Sequence, residues 1–87
     1  MDIEYDINKS LSNKKKHGID FEEAQILWND EEAIEFSVNY EDEERYAVIG
    51  KIKGKCWTAI ITYRDKKTRI ISVRRSRSKE VKAYENY

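Results

Sequence analysis

Cationic side chains that could hold phosphate groups concentrate toward the C-terminus of this 87-residue chain. They fall in the last two predicted strands and the closing helix: Arg64, Lys66, Lys67, Arg69, Arg74, Arg75, Arg77, Lys79 and Lys82. Aromatic residues stand among them, namely Trp57, Tyr63, Tyr84 and Tyr87. Arginine presents a rigid fork of donors to phosphate oxygens, and aromatic rings stack on unpaired bases. The pattern therefore favours contact with an RNA or DNA backbone, and solvated strand edges with core aromatics are the alternative.

Arg64 and Arg74 each end a predicted strand beside apolar residues, at positions that a lysine would solvate more easily. We therefore predict that these two arginines act on phosphate as a pair. A four-residue loop at 65–68 would place Arg64 on the sheet face of Val73 and Arg75, whereas a bulge at the turn would place it beside Arg74. The sequence leaves both registers open.

His17 is the only histidine of the chain. An imidazole titrates near neutral pH and can serve as a general acid or base, although a histidine at a helix C-terminus also favours the helix dipole. No His, Cys and carboxylate residues have metal-ligand spacing, and the acidic run at 41–44 is more typical of a solvated turn than of a Mg²⁺ site. We predict no metal and no cofactor.

Acidic and basic residues concentrate in different parts of the sequence, although the formal net charge is zero. Residues 21–44 contain ten acidic residues and no Lys or Arg, whereas residues 45–87 contain thirteen Lys and Arg against three acidic residues. A basic half of this size attracts phosphate or an acidic protein surface, and the acidic stretch can shield it. Mutual pairing of the two halves on a solvated surface explains the charges equally well.

The length predicts one domain over residues 1–87 with a small core, so that any chemistry lies on an open surface suited to a macromolecular substrate. Cys56 is the only cysteine and lies in an apolar strand pattern, which indicates a buried thiol in a reducing cytoplasm. No apolar run approaches the length of a membrane span, and the polar N-terminus is unlike a signal peptide. We therefore expect a cytoplasmic protein with no membrane partner.

Two helices are predicted near the N-terminus, after a short strand at residues 2–5. The first covers residues 9–17, with Asn8 as N-cap and Gly18 at its end. The second begins at Asp20, which has capping-box spacing to Glu23, and ends near residues 29–30. Its apolar face carries Ala24, Leu27 and Trp28.

The period then changes from 3.6 to 2, which predicts strands. The first has Ile34, Phe36 and Val38 on one face, and the next three cover residues 46–52, 56–64 and 69–75. The strand at residues 56–64 is a near-continuous apolar run and should be central, covered on both faces. A closing helix, capped by Ser76 or Ser78, runs to about residue 87. The expected fold is α+β, an antiparallel β-meander of four to five strands with two N-terminal helices and one C-terminal helix.

Three segments of the chain together resemble one family. The first two are Tyr5-Asp6 with Lys9, Asn13 and Lys16-His17-Gly18-Ile19, followed by Phe21-Glu22-Glu23-Ala24. The third is Arg69-Ile70-Ile71-Ser72-Val73-Arg74-Arg75-Ser76, followed by Glu80 and Ala83-Tyr84-Glu85. They resemble the BrnT toxins of bacterial type II toxin–antitoxin systems, which are similar to RelE-type ribonucleases in fold. Tyr5 stands where the family usually has Trp, and Val73 and Ser76 stand where Ala is common.

The resemblance implies a toxin that cleaves RNA without a metal and blocks translation. It also implies a cognate BrnA-like antitoxin with a DNA-binding segment, and a higher-order assembly of toxin and antitoxin. A non-catalytic nucleic-acid- or ribosome-binding module is the alternative function, and a protein-interaction domain that works through its acidic stretch is a third. Carried over by position, the candidate catalytic residues are Lys16, His17, Arg64 and Arg74. The candidate RNA-binding residues are Arg69, Arg75, Arg77, Glu80 and Tyr84.

Overall fold

The computed structural model describes residues 2–40 and 43–87, and the order of elements follows the sequence prediction. The strands are β1 (Ile3–Glu4), β2 (Ile34–Tyr40), β3 (Glu43–Ile52), β4 (Lys55–Arg64) and β5 (Lys67–Arg75). The helices are α1 (Ile7–His17), α2 (Phe21–Ala24) and α3 (Ser78–Asn86), with a 3-10 helix at Gln25–Asn29. In the described part of the chain, no helix is long and apolar enough to cross a membrane. The predicted α+β class is confirmed.

The predicted antiparallel meander is wrong for the first strand, because the five-stranded sheet is mixed. Its order is β1-β5-β4-β3-β2, and β1 pairs with β5 in parallel through Ile3–Thr68 and Glu4–Arg69. Thr68 N–H also donates to the Asp2 carbonyl at 2.8 Å. Ile3 packs against the core, so burial of its side chain holds this short strand at the edge. Strands β2 to β5 do form an antiparallel meander.

The β4–β5 hairpin has neither of the two registers considered above. Arg64 pairs with Lys67 across a two-residue turn, and both turn residues, Asp65 and Lys66, have positive φ angles of 52° and 67°. Such turns match the twist of the strands that they join. A bulge does occur, but it lies in mid-strand, where Ile60 pairs with Ser72 and Ile61 pairs with Ile70.

Helix α1 covers the edge of β5 that the short β1 leaves open. Asp6, and not the predicted Asn8, is its N-cap and accepts hydrogen bonds from two backbone N–H groups. The buried Asn13 side chain donates to the Val73 carbonyl and accepts from Val73 N–H, at 2.9 and 3.2 Å. It also donates to the Ile19 carbonyl at 2.9 Å. Gly18 ends the helix at φ 81°, as predicted.

The predicted second helix is split into α2 and the 3-10 helix. The capping box between Asp20 and Glu23 is present, as predicted. Only one α-helical turn follows, after which the tighter winding carries Leu27 over Gly50. A Cβ at residue 50 would lie 3.1 Å from Leu27 Cδ2, which is tighter than most contacts, so a larger residue there would require Leu27 to shift by a few tenths of an ångström.

The core lies between the N-terminal helices and one face of the sheet. Its buried members are Ile19, Phe21, Ala24, Leu27, Val48, Ile52, Ala59, Ile61, Ile70 and Val73. Helix α3 crosses the other face, beside the buried Thr58, and its N-cap is Arg77 in place of the predicted Ser76 or Ser78. β4 is therefore central and buried on both faces, as predicted. Cys56 is buried as well, and that burial raises the pKa of its thiol.

Candidate functional site

The C-terminus of α1 lies beside the C-terminal end of β5. Asn13 binds the Val73 backbone, and His17 follows Asn13 by one helical turn while Arg75 follows Val73 by two strand residues. Four helical residues and two strand residues each advance about 6 Å. The two segments that carry the family resemblance, which stand about 60 residues apart in sequence, thus meet at one end of the molecule.

A shallow groove of ≈530 Å³ opens at the same end. Apolar residues and Gly18 line it together with Trp57, and three charged side chains stand at it as well, namely Glu23 of α2 and Lys53 and Lys55 of the β3–β4 hairpin. The Arg75 guanidinium lies 5.5 Å from the centre of the Trp57 ring. An aromatic ring in a groove with lysines beside it can stack on a base while the cations hold adjacent phosphates.

We call this region the basic end and define it by Lys16, His17, Lys53, Lys55, Arg75 and Arg77, with Trp57. Its five Lys and Arg side chains are exposed, and none of them forms a salt bridge with a residue that the structure describes. His17 is half-buried. Exposed cations that form no close ion pair can bind an incoming anion, although Glu23 stands at the same groove and interacts electrostatically with Lys53.

Arg74 has a different role from the cations around it. It binds Glu80 through both terminal nitrogens, at 2.7 and 2.9 Å, and donates to the Arg75 carbonyl. Glu80 also accepts from the backbone N–H of Arg77 and from the Thr58 hydroxyl. The Arg74 hydrogen bonds lower the pKa of Glu80 to about 2, against the opposing effect of burial. The pair therefore fixes the junction of β5 with α3 and carries little net charge.

Arg64 and Arg69 lie at the opposite end of the β4–β5 hairpin. Arg74 pairs with Thr58, six residues before Arg64 on β4, which corresponds to about 20 Å. The structure thus does not bring Arg64 and Arg74 together, and the predicted pair is wrong. The cause is the register of the hairpin, since its two-residue turn leaves Arg64 at the tip.

Both arginines of this opposite end have carboxylate partners. Arg64 lies 3.7 Å from Glu43, and Arg69 lies 3.4 Å from Glu4. Arg45, which the sequence analysis did not single out, also lies 3.2 Å from Glu43. The acidic run at 41–44 directly precedes Arg45 in the sequence, and it could have indicated these ion pairs, because carboxylates pair with arginines that lie near them.

Tyr84 anchors α3 and does not reach the basic end. Its hydroxyl donates to Asp30 Oδ2 at 2.6 Å, and Lys51 Nζ lies 5.7 Å from its ring centre. The hydrogen bond to Asp30, together with burial, raises the pKa of Tyr84 to about 12. Burial raises the pKa of Asp30, but the hydrogen bonds from Tyr84 and from the backbone outweigh it, so the pKa of Asp30 is lowered.

The acidic run considered as a metal site falls partly outside the described residues, which exclude Glu41 and Asp42. Glu43 binds Arg45, and Glu44 accepts from the Tyr46 hydroxyl at 3.2 Å. Among the residues that the structure describes, no three His, Cys, Asp or Glu side chains converge as metal ligands would.

A comparison of the chain with protein families gives the same family as the three sequence segments do. A family described as the ribonuclease toxin BrnT of type II toxin–antitoxin systems matches residues 5–80. The chain belongs to this BrnT toxin family. No curated protein matches the chain. Membership in a ribonuclease toxin family of a type II system implies an RNA target and an antitoxin partner.

The BrnT match covers both segments that meet at the basic end, from Lys16-His17 to Arg74-Arg75. The sequence analysis named most of the residues there. It did not name Lys53 and Lys55, which lie between two predicted strands, as candidate RNA-binding residues. It also missed Asn13 as the residue that joins the two segments. No local pattern reveals that contact, because it spans 60 positions of the chain.

Proposed function

We propose that this chain is a toxin that cleaves RNA at its basic end and thereby stops translation. One observation supports this most directly: Asn13 binds the Val73 backbone, which brings the end of α1 with the half-buried His17 to the same end of the molecule as the exposed Arg75 of β5. A proton carrier near exposed cations is what phosphodiester cleavage needs, and RNA is the target that the BrnT family implies.

The reaction we propose uses the 2′-hydroxyl of RNA as nucleophile. Its oxygen bonds to the adjacent phosphorus as the bond from phosphorus to the 5′-oxygen breaks, which leaves a cyclic phosphate and a 5′-hydroxyl end. His17 removes the proton of the 2′-hydroxyl, and Lys16 or solvent protonates the departing 5′-oxygen. Arg75 and Arg77 stabilise the charge that grows on the phosphoryl oxygens, and Arg74 positions them through Glu80. No metal takes part in this scheme.

The antitoxin in this proposal is a BrnA-like protein with a DNA-binding segment, which silences the toxin within a larger assembly of the two proteins. A partner that covers the basic end should present acidic or hydroxyl-bearing groups, because these complement its exposed cations. RNA and antitoxin then compete for the same surface. A stable ternary complex in which RNA is still cut would contradict this part of the proposal.

The decisive experiment compares His17→Gln with Lys9→Gln, a matched change near the other end of α1. Cleavage of a labelled RNA is measured in EDTA, and affinity is measured on the same RNA. We expect His17→Gln to lower the cleavage rate about 100- to 10,000-fold, because one acid–base group contributes that much. Its RNA affinity and melting temperature should stay close to those of the wild type, and Lys9→Gln should change nothing.

Two results would contradict the proposal. Wild-type cleavage by a folded His17→Gln protein would remove His17 from the reaction. Cleavage that is lost in EDTA and restored by Mg²⁺ would overturn the metal-free scheme. If the wild-type protein binds RNA but never cuts it, and its expression alone leaves bacterial growth and RNA intact, the non-catalytic binding module becomes the better interpretation.

A further inference from the structure

Strand β2 forms an open edge of the sheet. Within the described residues, the only strand that pairs with it is β3, so its outer row of backbone N–H and C=O groups has no strand partner. The other edge is closed differently, since β1 and the Asn13 side chain take up the backbone groups of β5. A free edge of seven residues is long enough to accept a further strand.

The usual protection of an edge strand is missing from β2. Its seven residues include no Lys, no Pro and no Gly, and Glu35 is their only charge. Proteins commonly guard such edges with lysine, proline, bulges or a covering helix. The Glu35 carboxylate, moreover, is engaged by the Tyr63 hydroxyl at 2.8 Å. The strand is therefore open to pairing.

Two grooves flank this edge and would receive side chains of an added strand. One, of ≈580 Å³, lies between Phe36 and the first turns of α3, where it is lined by Ala83 and by the polar residues Arg77, Ser78, Lys79 and Glu80. Phe36 is 40% exposed, so an apolar side chain placed there would remove it from water. The second groove, of ≈540 Å³, is lined by Glu31, Glu32 and Glu35 with Tyr84 and Tyr87. Carboxylates beside aromatic rings bind a cationic side chain.

Charge selects among the proteins that could pair with this edge. The whole stretch from residue 21 to residue 44 carries ten acidic residues and no Lys or Arg. A second copy paired through β2 would bring two such stretches together, at a cost from like-charge repulsion. We propose that β2 is a docking edge for an extended segment of another protein, in which apolar residues alternate with Lys or Arg. This inference does not depend on RNA cleavage.

The test uses synthetic ten-residue peptides and the full-length, ¹⁵N-labelled chain. One peptide alternates valine with lysine, a second alternates valine with glutamate, and a third is the lysine peptide with prolines in place of valines, which cannot donate backbone hydrogen bonds. We expect the valine–lysine peptide to slow amide exchange in β2 at least tenfold and to shift the signals of Ile34 and Phe36. The other two peptides should do neither.

Phe36→Lys should weaken binding of the valine–lysine peptide at least tenfold. Leu11→Lys is the matched control, because Leu11 is an exposed apolar residue of α1, and it should bind as the wild type does. RNA cleavage by Phe36→Lys should stay within about threefold of the wild-type rate, which separates this proposal from the proposed ribonuclease site.

Three results would overturn the inference. Equal binding of the proline peptide would reduce the effect to charge attraction alone. Binding of the glutamate peptide, or of no peptide, would remove the predicted specificity. Dimerisation of the chain that Phe36→Lys abolishes, seen by sedimentation, would identify a second copy as the occupant of the edge.

Discussion

The Arg74–Glu80 ion pair makes stability depend on acid pH. The side chains are only 24% and 17% exposed, and Arg74 lowers the pKa of Glu80 from 4.5 to about 2. Because the pKa is lower in the folded state, the stabilisation is complete above about pH 4.5 and is lost as the pH falls toward 2. The interval between these values corresponds to at most about 3 kcal/mol.

We therefore predict that Glu80→Gln lowers the free energy of unfolding by about 2–3 kcal/mol at neutral pH, since it leaves a partly buried arginine without its carboxylate. Urea titrations from pH 7 to pH 2 measure this, with Glu85→Gln on the same helix as the exposed control. The curves of the wild type and Glu80→Gln should converge below about pH 2. A constant difference at every pH would show that the loss comes from packing and not from the ion pair.

The two ends of the β4–β5 hairpin make opposite predictions for single arginines. Removal of one cation placed at a phosphoryl transition state typically lowers the rate about 100- to 1,000-fold. We expect this of Arg75→Ala, because Arg75 lies at the basic end with no salt bridge to a described residue. Arg64→Ala should cleave RNA within about threefold of the wild type, because Arg64 lies beside Glu43 at the opposite end.

Rates measured at saturating RNA, with melting temperatures as the folding control, decide between the two arginines. A large loss in Arg64→Ala with an active Arg75→Ala would move the reaction to the opposite end. It would then restore Arg64 as the catalytic arginine that the sequence resemblance suggested.

At the scale of elements, the hydrophobic period predicts most of the strands and helices, whereas of the predicted N-caps only Asp20 is correct, since Asp6 and Arg77 cap the other two helices. The alternation of Ile34, Phe36 and Val38, and the Asp20–Glu23 capping box, are both present in the structure. These signals are local, so the sequence carries them directly. The parallel pairing of Ile3 with Thr68 is not local, and nothing near either residue indicates it.

The hairpin register was beyond prediction for a related reason. The Asp65-Lys66 turn contains no glycine, although both residues have positive φ. Ile71, the extra residue of the bulge, is as apolar as the paired Ile70. The alternation of apolar and polar residues along β5 therefore does not reveal the bulge, yet the bulge decides which face of the sheet each arginine occupies. The site could therefore be predicted as a list of residues but not as an arrangement.

The Tyr84–Asp30 hydrogen bond anchors α3 on the far side of the sheet from α1. Removal of a hydrogen bond to a carboxylate typically costs about 1.5–3 kcal/mol. We predict that Tyr84→Phe loses this amount of unfolding free energy and speeds amide exchange in α3, whereas Tyr87→Phe, at a residue 96% exposed, changes neither. Urea unfolding and hydrogen exchange measure both effects.

The same hydrogen bond has a signature at alkaline pH. The pKa of Tyr84 is raised from 10.0 to about 12, so its stabilisation is complete below pH 10 and is lost as the pH rises through 12. The stability difference between the wild type and Tyr84→Phe should shrink over that interval. A difference that persists at high pH would mean that the ring, and not the hydroxyl, holds the helix.

At the scale of the whole molecule, the charge asymmetry of the sequence becomes a spatial one. The acidic stretch builds α2, the 3-10 helix and β2, whereas the cations of α1, the β3–β4 hairpin and the end of β5 meet at the basic end, where Glu23 of α2 also lines the groove. A zero net charge therefore conceals a surface that RNA should approach in one orientation. The two hairpins, one at each end of β4, allow a test with two variants that have the same net charge as each other.

We predict that Lys53→Glu with Lys55→Glu weakens RNA binding strongly, whereas Lys66→Glu with Lys67→Glu weakens it little. Both double variants change the net charge equally, and each replaces one lysine with a positive φ, which is 51° at Lys53 and 67° at Lys66. For single-stranded RNA, removal of one cation that neutralises a phosphate should flatten the plot of log affinity against log salt by about 0.7. We therefore expect the slope to fall by about 1.4 in the first variant alone. Equal weakening in both would mean that RNA responds only to overall charge, and the basic end would then be no specific site.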